Sequence, residues 1–206
     1  MIDFSTKQTF VGISLGNQSA NDTGVAILDK NLKIVTLDKL YTVEDMTFFL
    51  DNLYGKSDAL IVISMADNAT MLSHKWKVYS KRYALVQTTG NIQNLDNWQD
   101  RFSSRGSEYF FKLKEQGFDV FRYEISDIKM KLRLSGMFKS RSHNDCKFLQ
   151  NILKTEYGMS ELPSNMLPVS QLEAILGAIM AHRISEENKA DVLYNYKGLD
   201  VLTLAK

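Results

Sequence analysis

Alternating apolar residues predict that the chain opens with three strands. The run from Phe10 to Leu15 is rich in β-forming residues and ends at Gly16, and a second run covers Thr23 to Leu28. Leu32 to Leu40 alternates well enough for a third strand, after a tight turn at Asp29 to Asn31. Three consecutive antiparallel strands are therefore expected before the first helix.

Helix and strand signals alternate along the rest of the chain. Thr42 is placed to cap a helix that runs to about Leu53, and Ala59 to Ser64 is nearly all apolar, as expected for a strand covered on both faces. Further signals predict a helix over Glu108–Gln116 ended by Gly117, a strand over Val120–Ile125, a helix over Asn144–Tyr157 ended by Gly158, and a terminal strand or surface wrap over Ala190–Lys206. This alternation predicts an α/β fold with a mixed sheet and helices on its faces.

The strongest helix signal covers Gln171 to Ile184, after a loop that contains both prolines. One stripe is apolar and a second consists of small residues: Leu172, Ile175, Leu176 and Ile179 form the first, and Ala174, Gly177, Ala178 and Ala181 the second. The small stripe predicts a close approach of this helix to a sheet or to another helix.

Length and charge limit the classes of function. The 206 residues fit a single domain over 1–206, with a possible insertion at about 67–117, where the pattern is least readable. The net charge of +1 provides no overall attraction to nucleic acid or to a membrane, so binding to either requires a local patch. One cysteine, no apolar run long enough to span a membrane and no signal-peptide pattern make the cytoplasm the expected location.

The opening strands carry a family resemblance. Ser14 stands two residues before Gly16, and Thr23-Gly24 opens the second strand. This layout resembles the opening hairpin of the ribonuclease H-like superfamily, in which a metal-binding aspartate occupies the position of Ser14. The run Phe121–Ile125, a basic stretch after it, and the segment Leu172–Ala178 look like the uncharacterised DUF429 branch of predicted nucleases.

The resemblance implies where an active site would lie. Nucleases of this superfamily bring carboxylates together from the first strand, the fourth strand and a late helix, because two Mg²⁺ ions bridge the scissile phosphate. The corresponding residues here are Ser14, Ser64 and Glu173, and two of them are hydroxyls. Asp67 follows the fourth strand and Glu124 stands on a late strand, so the pocket candidates are Ser14, Ser64, Asp67, Glu124 and Glu173, and the weak metal-ligand candidates are Asp67, Glu124 and Glu173.

Three functions fit this pattern. The first is a ribonuclease H-like protein that lacks a full two-metal site and acts as a binding or scaffold module, with no cofactor expected. The second is an active Mg²⁺-dependent nuclease with an altered acid set, drawn from Asp22, Asp67, Glu124 and Glu173. The third is a structural or regulatory protein that uses the fold only to present a protein-binding surface. Whether the chain is an enzyme stays open.

Each pocket candidate also has a structural interpretation. Ser170 and Glu173 have the spacing of a capping box, in which the glutamate accepts from the backbone N–H of the serine. Ser14 suits a small hydrogen-bonded filler at a crowded strand end, which is the favoured interpretation. Glu124 would be an edge charge. The histidines His74, His143 and His182 are isolated, without the spacing of a zinc site.

One basic stretch is the best candidate for binding nucleic acid. Cations alternate with aromatic rings from His74 to Tyr83, and the candidate contacts are Lys75, Trp76, Lys77, Lys81 and Arg82. The helical spacing of Trp76, Tyr79 and Tyr83 favours instead a helix with the rings inward and the cations in solvent. A second basic stretch, Ile128 to Arg141, has the pattern of a solvated surface. The expected partner is nucleic acid or another protein, and not a membrane.

Overall fold

The computed structural model describes residues 3–15, 22–53, 55–64, 76–79, 84–87, 109–123, 125–134, 142–187, 190–196 and 199–204. For 76–79, 84–87, 190–196 and 199–204 it describes the backbone alone. Most of the insertion suggested at about 67–117 therefore lies outside the described residues.

The described part of the chain has the α/β architecture that the sequence predicts. Its strands are β1 (Thr9–Ser14), β2 (Thr23–Asp29), β3 (Ile34–Leu40), β4 (Ala59–Ser64), β5 (Trp76–Tyr79), β6 (Ala84–Gln87), β7 (Asp119–Tyr123), β8 (Ala190–Tyr196) and β9 (Leu199–Leu204). Seven of them form one mixed sheet in the order β3-β2-β1-β4-β7-β9-β8, and β5 pairs with β6 in a separate hairpin. Strands β1 to β3 are antiparallel neighbours, as expected, while β4 and β7 run parallel to β1.

Helices pack on both faces of the sheet. They are α1 (Val43–Asp51), α2 (residues 109–115), α3 (Ile125–Lys131), α4 (His143–Thr155) and α5 (Val169–Glu187), preceded by a 3-10 turn at Phe4–Thr6. Side chains from alternate positions of β1 enter opposite cores: Phe10 faces α3, α4 and α5, and Val11 faces α1 and α2. Within the described segments, no helix combines the length and the apolar character needed to cross a membrane.

Helix α5 lies directly on the backbone of β1 and β2. A side chain at Gly12 would collide with the carbonyl oxygen of Ala174, and one at Gly24 would collide with that of Ser170. The close approach predicted from the small residues is confirmed. Burial extends beyond the two predicted stripes, because α5 is buried around nearly its whole circumference from Ser170 to Ile184.

Several local predictions are confirmed at the ends of elements. Thr42 caps α1: its hydroxyl accepts from the Asp45 N–H, while the Asp45 carboxylate accepts from the Thr42 N–H at 3.0 Å. Gly117 and Gly158 follow α2 and α4 with φ of 90° and 68°, a left-handed conformation that glycine adopts without strain.

Three predictions differ from the structure. The segment Trp76–Tyr79 is a strand, so the interpretation of the basic stretch as a continuous helix is wrong. Ile125 begins α3 instead of ending β7, because the chain turns at the edge of the sheet. The weakly alternating tail forms two strands of the sheet, β8 and β9, rather than one strand or a surface wrap.

Candidate functional site

The candidate site lies where the carboxyl ends of three parallel strands meet the first half of α5. Ser14 ends β1 and lies opposite Ser64, the last residue of β4, which in turn lies opposite Tyr123 at the end of β7. Parallel strands end at the same edge, so these three side chains come together there. Glu173 lies at the same edge, because α5 packs against β1 where Gly12 contacts the backbone of Ala174.

Glu173 is the centre of this cluster. Its residue is 3% exposed, and its Oε2 accepts a hydrogen bond of 3.2 Å from the Ser14 hydroxyl. The Lys129 ammonium, on α3, lies 3.9 Å from Oε1 of the same carboxylate, and the Lys129 side chain is 15% exposed. A buried carboxylate requires such partners, because an isolated one would lose its hydration without compensation. Glu173 is therefore engaged by a hydroxyl and by a cation of this chain.

Tyr123 forms the floor of the cluster. Its hydroxyl donates to the backbone carbonyl of Glu173 at 2.9 Å, and its ring lies against Gly177, where an added side chain would come within 2.8 Å. Burial, and then the nearby negative charge of Glu173, raise the pKa of Tyr123 well above its ordinary value, against the opposing effect of the Ser14 and Ser64 hydroxyls. The phenol is thus a neutral hydrogen-bond donor.

A second acid belongs to this end of the sheet. The Ser170 hydroxyl, one helical turn before Glu173, donates to Asp22 Oδ2 at 2.8 Å. The capping-box interpretation of Ser170 and Glu173 is wrong. Helix α5 begins at Val169, and the Leu172 N–H already bonds to the carbonyl of Pro168, so Ser170 lies inside the helix instead of at its N-cap.

The other predicted residues are only partly described. Asp67 and Glu124 lie outside the described residues, as do Lys75, Lys81 and Arg82 of the basic stretch. Trp76 and Lys77 belong to the backbone of β5, and the structure describes no side chain for either.

Sequence reasoning missed Lys129. It belongs to the stretch from Ile128 to Arg141, whose pattern predicts a solvated surface. That prediction is wrong for Lys129 itself and for Ile128, which is 1% exposed. The signal that could have found it is its position: α3 begins directly after β7, so its first turns lie beside the edge where the pocket was expected. Nothing in the local sequence pairs it with Glu173.

The donors that the described residues bring to this edge of the sheet, two hydroxyls and the Glu173 carboxylate, do not fit Mg²⁺. This ion requires near-octahedral coordination by oxygen and gives up its water reluctantly, so it binds where carboxylates supply negative charge. In the part of the chain that the structure describes, no three His, Cys, Asp or Glu residues are grouped as metal ligands would be. Two of the family positions hold hydroxyls, and the third, Glu173, already faces Lys129.

The sequence matches no protein-family model, and no curated protein is significantly similar to it.

Proposed function

We propose that this chain is a ribonuclease H-like protein whose acidic site has been replaced, and that it acts as a binding or scaffold module without nuclease activity. The observation that carries the proposal is the contact of Glu173 with both Ser14 and Lys129. In the superfamily that the sequence resembles, the corresponding residues hold metal ions.

The arrangement of elements supports the fold part of the proposal. The resemblance expects the first strand, the fourth strand and a late helix to meet, and β1, β4 and α5 meet at Ser14, Ser64 and Glu173. The chain also opens with three antiparallel strands in sequence order, as the resemblance requires.

The chemistry of the cluster supports the loss of cleavage. Two-metal hydrolysis needs two cations that stabilise the attacking and leaving oxygens together. Lys129 supplies one positive charge at the carboxylate where a metal would otherwise be held. A lysine ammonium repels a divalent cation and cannot activate water as a metal does, so the cluster serves as a neutralised, hydrogen-bonded joint between β1, β7, α3 and α5.

A titration with MnCl₂ together with a nuclease assay tests this proposal. The wild type is expected to bind no Mn²⁺ and to leave plasmid, branched DNA and RNA–DNA hybrid intact. The double variant Ser14→Asp with Lys129→Met should gain Mn²⁺ binding, because it adds a carboxylate and removes the competing charge. Ser14→Asp with Lys131→Met is the matched control, since it removes a lysine of the same helix and retains Lys129.

Tight Mn²⁺ binding by the wild type, lost in Glu173→Ala, would contradict the proposal. It would favour the alternative, an active nuclease with an altered carboxylate set. Asp22 gives that alternative a specific basis, because its contact with Ser170 holds it near Glu173 at the same end of the sheet.

Nucleic acid is the partner that a ribonuclease H-like scaffold suggests, and the basic stretch is the place to test it. Replacing Lys75, Lys77, Lys81 and Arg82 by glutamate should abolish a gel shift. This hypothesis requires the four side chains to be in solvent, where charges contribute little stability, so it also predicts an almost unchanged melting temperature. The wild-type shift should weaken steeply as salt rises. If the wild type gives no shift even at ~50 mM salt, where electrostatic binding is strong, the nucleic-acid hypothesis is wrong and a protein partner becomes the leading hypothesis.

A further inference from the structure

A cavity of about 290 Å³ lies at the opposite end of α5 from Glu173. The β2–β3 turn contributes Leu32, the end of α4 contributes Glu156 and Tyr157, and α5 contributes His182 and Glu186 among others. The cavity is separate from the cluster of Ser14, Ser64, Tyr123 and Glu173, so binding in it does not depend on the proposed function.

His182 is the unusual residue of this cavity. It is 4% exposed, and its Nε2 lies 2.9 Å from the backbone carbonyl of Lys30. A carbonyl only accepts hydrogen bonds, so Nε2 carries a proton, and in the neutral form of the ring the lone pair is on Nδ1. Nδ1 is buried and has no hydrogen-bond partner. A buried lone pair of this kind indicates a water or an ion that completes the site.

The Glu186 carboxylate is placed to share that ion. Its Oε2 lies 3.5 Å from His182 Nδ1, one helical turn further along α5. Two donor atoms bound to one tetrahedral Zn²⁺ lie about 3.4 Å apart, given metal–ligand bonds of about 2.1 Å. The pair therefore already has the spacing of a chelate, and the largely exposed Glu186 side chain can adjust to an incoming ion.

The hydrogen bond of the other ring nitrogen, Nε2, is also typical of a metal-binding histidine. A histidine that binds a metal commonly donates its second ring N–H to a backbone carbonyl or a carboxylate, which fixes the tautomer and the ring. The bond from Nε2 to Lys30 has this form. The charged groups that also line the cavity are Glu156 and Arg183, and the Arg183 guanidinium lies over the Tyr157 ring at 5.8 Å from its centroid.

We propose that His182 Nδ1 and Glu186 Oε2 bind a divalent transition-metal ion of the zinc class at the edge of this cavity. The described residues supply no third His, Cys, Asp or Glu in a group with them, so water molecules in the cavity fill the remaining positions. Such a site is open and exchangeable, unlike a closed structural zinc site.

Calorimetric titration with ZnCl₂ tests the proposal, with two variants and two matched controls. Glu186→Gln should weaken binding at least about tenfold, because even the loss of an outer partner of a metal ligand costs 10- to 100-fold. His182→Gln should do the same, since its amide retains a donor for the Lys30 carbonyl and lacks Nδ1. Glu187→Gln and His143→Gln, on exposed residues outside the cavity, should bind as the wild type does.

Nitrogen NMR of the histidine rings provides a second readout that does not depend on affinity. Zn²⁺ should shift the His182 Nδ1 resonance and leave its Nε2 protonated, whereas Mg²⁺ should leave both nitrogen resonances unchanged. An unchanged Nδ1 resonance in the presence of Zn²⁺, or equal losses in Glu186→Gln and Glu187→Gln, would overturn the proposal.

Discussion

The two ends of α5 each bury a polar side chain, and they treat it differently. Glu173 is 3% exposed and His182 is 4% exposed, so burial is nearly the same. Glu173 accepts a hydrogen bond from Ser14 and lies 3.9 Å from the Lys129 ammonium, whereas Nδ1 of His182 makes no hydrogen bond and lies 3.5 Å from the Glu186 carboxylate. A buried group whose polar atoms all have partners within the chain stabilises the fold, while a buried atom without a hydrogen bond remains able to bind a water or an ion.

The largest expected effect comes from preventing α5 from packing on β1, which disrupts the surroundings of both Glu173 and His182. Gly12→Ala places a methyl group against the carbonyl oxygen of Ala174, where neither backbone can move easily, so α5 cannot seat on β1. We expect a loss of about 3 kcal/mol or more in the free energy of unfolding, measured by urea denaturation. Gly177→Ala should cost less, because its methyl group meets only the ring of Tyr123 at 2.8 Å. Equal losses in the two variants would contradict this account of the packing.

The next effect belongs to the Glu173 end alone. Glu173→Ala leaves the Ser14 hydroxyl and the Lys129 ammonium without their buried acceptor, so we expect about 2 kcal/mol of destabilisation. Glu173→Gln should cost less, because its amide oxygen still accepts from Ser14. Denaturation of the two variants side by side measures the difference. If alanine and glutamine are equally destabilising, the hydrogen bond from Ser14 contributes nothing.

Stability at alkaline pH should depend differently on the two ends of α5, because Tyr123 lies near Glu173 and Tyr157 lies near His182. The pKa of Tyr123 is raised well above its ordinary value, mainly by burial, and the pKa of the half-buried Tyr157 is raised for the same reason. Above about pH 10 the unfolded chain releases these phenolic protons before the folded chain does, so stability falls as pH rises. Tyr123→Phe should lessen this fall more than Tyr157→Phe, as pH-dependent thermal melts would show. The reverse order would contradict the predicted difference.

The smallest expected effect is on the melting temperature when the metal is absent and Glu186, beside His182, is replaced. Glu186 is largely exposed and makes no short hydrogen bond to His182, so Glu186→Gln should leave the melting temperature unchanged in the presence of a chelator. With excess ZnCl₂ the wild type should melt higher than Glu186→Gln, because a ligand that binds the folded state alone stabilises it. A lower melting temperature in chelator would mean that the pair stabilises the fold by itself.

The sequence predicts the fold well where local chemistry determines it. Thr42 and Asp45 cap α1 through side chains three residues apart, and Gly158 ends α4, so both signals are present in a few neighbouring positions. The same is not true of Trp76–Tyr79, where aromatic spacing typical of a helix occurs in a strand. Periodicity over so short a stretch does not distinguish the two, because pairing with β6 decides the outcome.

The candidate site could be predicted only in part. The family resemblance located Ser14, Ser64 and Glu173, but their partners depend on distant elements. Lys129 pairs with Glu173 because α3 and α5 pack together, and Nε2 of His182 bonds to the Lys30 carbonyl in the turn between β2 and β3. The sequence around His182 lacks a zinc motif and therefore predicts no metal site. The bond to the Lys30 carbonyl, which orients the ring, corresponds to no sequence pattern.

The contact of α5 with β1 has a consequence for how the protein folds. Ser14 and Glu173 are 159 residues apart in sequence, and the helix that joins them is the cover for Phe10, Ala26 and Leu28 on the sheet. During synthesis these strands emerge long before the helix, so their apolar face stays uncovered until late. Contacts between such distant residues slow folding and expose incomplete chains to aggregation. Chains truncated before Val169 are therefore expected to require a chaperone to stay in solution.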